Sequence, residues 1–172
     1  MRDPSNVDSD LVEPAGILGA EATGEQLKKL NFKYVWVSPL VRTMKTAIHM
    51  FKGHPNLANI QFIVEPMIRA IHTTTQNMNM DVVELMQRFA PGEPACCGLN
   101  FDFSKITGLA EPQLWNVNTV INPEKKQQIL ENLSRREGGA TFANVNATML
   151  ELLCKELPDG AFETEDLLYE RA

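Results

Sequence analysis

Two short runs constrain the fold more than anything else in the sequence. Residues 33–37 read KYVWV and residues 60–64 read IQFIV. Both are β-branched or aromatic and almost wholly apolar, the pattern of strands buried on both faces in a parallel sheet. Between them, Leu40, Met44, Ala47, Ile48 and Phe51 recur at helical spacing, and GHPN (residues 53–56) ends that helix. Two strands joined through a helix run parallel, because the crossover returns the chain to the same edge. The expected fold class is therefore α/β, a layered fold with parallel strands flanked by helices.

A helix upstream completes the alternation. Residues 14–30 place Ile17, Leu18, Ala22 and Leu27 where they can share one face. Pro14 suits a first-turn position, and Gly19 and Gly24 weaken the helix. Ser38 is expected as the N-cap of the next helix and Pro39 as its first residue. Downstream, residues 81–90 form a short helix capped by Asp81 and stopped by Pro91-Gly92. Residues 91 to about 122 are rich in Pro, Gly and Asn and are expected to be mostly loop. Helical patterns follow at 123–136, at 142–157 and from about 164, so the C-terminal region is helical.

The chain of 172 residues fits one domain spanning 1–172, with about 91–157 as a lid or insertion. The helix from 164 starts close to the last residue, and two strands make a poor sheet, so the fold is expected to be incomplete. The net charge of -6 disfavours general nucleic-acid binding, since counterion release needs basic surface. No apolar run reaches the roughly 18–20 residues of a membrane span, and the polar start is not of signal-peptide type. Cys96, Cys97 and Cys154 are an odd set without CxxC spacing, which points to free thiols in a cytoplasmic protein and to no metal site.

Arg42 stands where the first strand gives way to the helix. Free N–H groups and the helix dipole make such a junction an anion site, and a guanidinium adds bidentate contacts to phosphate. Of the three histidines, His49 lies seven residues after Arg42, about 10 Å along the helix, and His54 lies beyond its far end. His72 follows the second strand on the same edge as Arg42 and is the one histidine placed to approach it.

The segment SPLVRTMKTA (residues 38–47) resembles the second-arginine motif of the histidine phosphatase superfamily, which includes the phosphoglycerate mutases: Ser38, Pro39, Leu40, Arg42, Thr43 and Thr46 match. Upstream, Asp8 or Asp10, Leu11, Gly16 and Ala20 are similar to the family's D-x-x-L-T-x-x-G-x-x-Q-A helix. FIVEPMIRA (residues 62–70) resembles the next strand and its turn. The resemblance covers about residues 8–72 and is only architectural beyond. It implies hydrolysis or transfer of phosphate monoesters through a phosphohistidine, with no metal or organic cofactor. Arg42 would bind the phosphoryl group, with Ser38, Thr43 and His72 as candidate neighbours. The partner would be a small phosphorylated molecule or a phosphate anion.

The sequence departs from the family at decisive points. It has no Arg-His-Gly, which carries the family's nucleophile, and it begins after the point where that strand is expected. It stops before the strand that carries the second pocket histidine. Ile68-Arg69 is followed by Ala70 where the family places an acid. The catalytic residues are therefore unassigned, and this chain is expected to be inactive, a pseudoenzyme. The alternatives are a non-catalytic α/β phosphate-binding or protein-interaction module, and an α/β domain unrelated to phosphate chemistry.

Overall fold

In the computed structural model the described residues are 8, 10–70, 75–78, 81–120 and 122–155. Their element order is α1 (Ala15–Leu27), β1 (Tyr34–Val37), α2 (Val41–Phe51), β2 (Gln61–Val64), α3 (Val82–Arg88), β3 (Phe101–Asp102), α4 (Ser104–Thr107), α5 (Trp115–Asn118), α6 (Pro123–Ser134) and α7 (Phe142–Lys155). The helix expected from residue 164 lies outside the described residues.

The fold is α/β. The three strands form one parallel sheet in the order β1-β2-β3, with Tyr34 opposite Gln61, Val37 opposite Val64, and Phe62 opposite Phe101. β3 was not legible in the sequence: two residues are too few to show a period of two, and they lie within the stretch expected as loop.

The main core lies between the sheet and its helices. Met44, Ala47, Ile48 and Phe51 of α2 are all buried, as their spacing implies. They meet Phe62 and Val64 of β2, Leu85 of α3 and Phe101 of β3. A chain of edge-to-face rings crosses this core. Phe51 and Phe62 stand 5.3 Å apart, Phe62 and Phe101 5.9 Å, and Phe101 and Phe89 5.8 Å. A second apolar cluster joins Met78 to Leu114, Val117, Ile129, Leu133, Met149 and Leu153 and holds α5, α6 and α7 together.

Three expectations are corrected. β1 is not buried on both faces, because Tyr34 is 49% and Trp36 65% exposed. Only Val35 and Val37 turn to the core. In α1 the buried residues are Ala20 and Gly24, while Leu18 is exposed, because the helix meets α2 through its smallest side chains. A Cβ on Gly24 would stand 2.4 Å from the Met50 carbonyl oxygen, so this glycine permits close approach rather than merely weakening the helix. Pro14 is the residue before α1 rather than within its first turn.

Asp81 and Asn122 cap α3 and α6 as side-chain acceptors, Asp81 for Val83 N–H at 2.8 Å and Asn122 for Glu124 and Lys125 N–H at 3.1 Å each.

Candidate phosphate site

The carboxyl ends of β1 and β2 lie side by side, where open α/β sheets place their ligands. The chain leaves β1 at Val37, turns through Ser38-Pro39, and enters α2 at Val41. Ser38 does not cap the helix. Leu40 holds the N-cap position in extended conformation with no side-chain cap. The acceptor comes instead from Asp8, 33 residues upstream, whose Oδ1 takes the Val41 N–H at 2.9 Å. Asp8 is buried, at φ 49°, a left-handed conformation that Asp adopts more readily than most residues. A carboxylate thus already occupies part of the positive end of α2.

Ser38 is therefore left with a different role. It is 8% exposed, and its Oγ has no hydrogen-bond partner among the described residues. Thr43 cannot offer its proton to a ligand in this arrangement, because its Oγ1 lies 2.6 Å from the Ser38 carbonyl oxygen and 2.7 Å from that of Leu40. Thr46 donates in the same way to the Arg42 carbonyl at 2.7 Å. With these hydroxyls turned to the backbone, Thr43 and Thr46 line a mostly apolar cleft of about 250 Å³ between β1 and α2, with Ser38 and Trp36.

Arg42 is the second residue of α2. Its Nη1 donates to the Gln76 carbonyl and its Nη2 to Asn77 Oδ1, both at 2.8 Å. The guanidinium therefore spans from α2 to the turn Thr75–Asn77. Neither this partner nor Asp8 was singled out in sequence as a contact of α2. No spacing rule links residues 33 to 35 positions apart.

His49 and His54 both lie on the α1–α2 side of the fold. His49 Nδ1 stands 3.2 Å from Glu21 Oε1, on the face of α2 that meets α1, and Lys52 also pairs with Glu21. His54 is buried. Its Nδ1 accepts the Asn56 N–H at 3.2 Å, so its Nε2 carries the proton toward the Leu27 carbonyl, also at 3.2 Å. Both rings serve packing at the α1–α2 side. His72 lies outside the described residues.

Arg69 is 1% exposed. Its Nε donates to Thr119 Oγ1 at 2.6 Å, its Nη2 to the Thr119 carbonyl at 3.0 Å and its Nη1 to the Ala70 carbonyl at 2.7 Å. Glu65, at the end of β2, accepts the Met67 N–H at 3.1 Å and so caps the following turn.

Away from the junction, Asp10 bridges Lys45 at 2.5 Å and Arg88 at 3.2 Å. Partial burial raises its pKa, but the Lys45 and Leu11 hydrogen bonds and the two cations outweigh that and leave it below the ordinary carboxylate value. Cys96, Cys97 and Cys154 are free thiols. Burial, with the charge of Glu93 and then Cys97 adding to it, pushes the Cys96 thiol up. Cys154 is half-buried in α7. Among the described residues no group of three His, Cys, Asp or Glu side chains comes together as a metal site, and no helix is long and apolar enough to cross a membrane.

A guanidinium and a serine hydroxyl at a helix N-terminus can hold a tetrahedral oxyanion. The family model of the histidine phosphatase superfamily (branch 1) matches residues 4–90, just over half of the chain, and so takes in Asp8, Ser38, Arg42, Asn77 and the elements from α1 to α3. No curated protein and no solved structure matches the chain.

Proposed function

Because the chain belongs to the histidine phosphatase superfamily, we propose that it binds phosphate or a small phosphorylated molecule at the β1–α2 junction through Arg42. One observation carries this reading. The buried Ser38 hydroxyl, with no partner among the described residues, stands at the entrance of the helix that bears Arg42. A buried hydroxyl without a partner costs about 1–3 kcal/mol, and a phosphate oxygen admitted by a small opening of the Ser38-Pro39 turn would recover that cost. Arg42 supplies the charge and Ser38 a directional donor. Thr43 shapes the turn rather than touching the anion.

The same reading makes these 172 residues a binding module rather than a catalyst on their own. Phosphohistidine chemistry needs an imidazole in line with phosphorus and a proton for the leaving oxygen. The sequence contains no Arg-His-Gly, and Ala70 follows Ile68-Arg69. His49 and His54 are engaged elsewhere. In this proposal the lid or insertion of a single domain, expected at about 91–157, is carried by α5 to α7, since β3 pairs with β2 and Phe103 and Ile106 belong to the main core. The separate apolar cluster of α5 to α7 supports that assignment.

Isothermal titration calorimetry with orthophosphate and with vanadate tests it. The chain binds, Arg42→Glu abolishes binding, and Ser38→Ala weakens it by about fivefold, the value of one hydrogen bond. An absence of binding in the unmodified chain overturns the phosphate reading. Turnover of p-nitrophenyl phosphate that disappears in Arg42→Glu overturns the non-catalytic part.

The exposure of Tyr34 and Trp36 favours a second reading, a protein-interaction module, since these residue types are enriched at interfaces. Sedimentation of the chain alone tests one form of it, self-association through β1.

A further inference from the structure

The aim of the Arg42 guanidinium is set by a part of the chain far from its own helix. Two of its nitrogens are held by neutral acceptors in the turn Thr75–Asn77, the Gln76 carbonyl and Asn77 Oδ1. The next residue, Met78, is 1% exposed and belongs to the second apolar cluster, with Val117, Ile129 and Met149. The same turn also packs against α7. We propose that Asn77 is a positioning residue for Arg42, and that Met78 makes the orientation of this guanidinium depend on the packing of α5 to α7.

Physical reasons support each link. An arginine side chain has many rotamers to lose, so an unheld guanidinium loses affinity when it must order on an anion. Two acceptors in a fork fix the plane of the group before the ligand arrives. Both of these acceptors are neutral, so these two contacts orient the group without adding negative charge beside it. A carboxylate at position 77 would have nearly the same shape and would compete with phosphate for the same charge. A buried methionine turns a local turn into part of a core, so its backbone moves only when that core moves.

A second, independent contact runs in the same direction. Arg69, fully buried after β2, is held by the side chain and carbonyl of Thr119 at the end of α5. Thr119 Oγ1 in turn donates to the Asn116 carbonyl at 2.8 Å. Two arginines near the carboxyl edge of the sheet are thus tied to segments that pack with the helical region. Loosening α5 to α7 would release both.

The inference rests on Arg42 being the phosphate ligand, so the experiment carries one readout that needs phosphate and one that does not. Orthophosphate affinity is measured by calorimetry on the full chain. The Arg42 side-chain nitrogen resonances are followed by NMR, where a held guanidinium shows slow Nη rotation. Asn77→Ala weakens phosphate binding about fivefold and speeds the rotation. Asn77→Asp weakens it further while the rotation stays slow. Met78→Ala reproduces the Asn77→Ala effect on both readouts, and Met78→Leu, which conserves volume, restores them. Unchanged rotation and affinity in Asn77→Ala overturn the positioning role, whether or not the Met78 variants fold. Unchanged rotation in a folded Met78→Ala overturns the dependence on the helical region. Slow rotation that Asn77→Ala abolishes, in a chain that does not bind phosphate, refutes the phosphate reading and leaves the positioning of Arg42 standing.

Discussion

Asp8 and Asp10 sit two positions apart in a polar lead-in and act on different groups. Asp8 is buried and takes the first N–H of α2. Asp10 is half exposed and joins Lys45 of α2 to Arg88 of α3. Asp8→Ala removes a cap and leaves a buried N–H without its acceptor. It should cost about 1–2 kcal/mol in urea unfolding, and Asp8→Asn, which keeps an oxygen, should cost less. Asp10 titrates below its ordinary value in the folded chain. Its contribution to stability is therefore complete above the unfolded pKa and is lost as pH falls through the folded one. Asp10→Asn should flatten the loss of stability below about pH 4, and an unchanged acid limb would mean that its partners are screened by solvent. The family pattern left Asp8 and Asp10 equivalent. Only the folded chain separates them, since which carboxylate reaches a helix end depends on where the lead-in lies.

At the scale of elements, α1 carries the sharpest contrast. Gly19 and Gly24 look alike in sequence, two glycines inside one helical pattern. A Cβ at Gly19 meets nothing within 4 Å, whereas one at Gly24 meets the backbone of Met50 at 2.4 Å. Gly19→Ala should stabilise the protein by up to about 1 kcal/mol through helix propensity. Gly24→Ala should destabilise it by about 1–3 kcal/mol, because α1 must move off α2. Paired thermal melts decide this, and equal effects at both sites would mean that α1 does not pack on α2 as described. The apolar face of α2 was legible because four large residues, Leu40, Met44, Ile48 and Phe51, recur with Ala47 at helical spacing and have one way to hide. The face of α1 was not, because its buried residues are small and carry no hydropathy signal.

At the scale of the whole molecule, two tryptophans report on opposite surroundings. Trp115 is 3% exposed against the main core, and Trp36 is 65% exposed on β1. A Trp115→Phe variant should emit at long wavelength and be quenched readily by acrylamide. Protection of Trp36 that rises with protein concentration would show that β1 serves as an interface between copies. The molecule also joins its two apolar clusters through polar contacts at the carboxyl edge of the sheet. Arg69 reaches Thr119, and Arg42 reaches the turn that Met78 anchors. The candidate site therefore lies where the two clusters meet.

The alternation of helix and strand, the helical face of α2 and the position of Arg42 at a strand end were all determined by the sequence alone. Each is a local pattern, set by residues within a few positions of one another. The third strand, the open face of β1, the separate tasks of Asp8 and Asp10, the Ser38 hydroxyl without a partner among the described residues and the grip of Asn77 on Arg42 were decided by the tertiary structure. Those features depend on contacts between residues tens of positions apart, and no periodicity in the chain encodes which distant group will arrive.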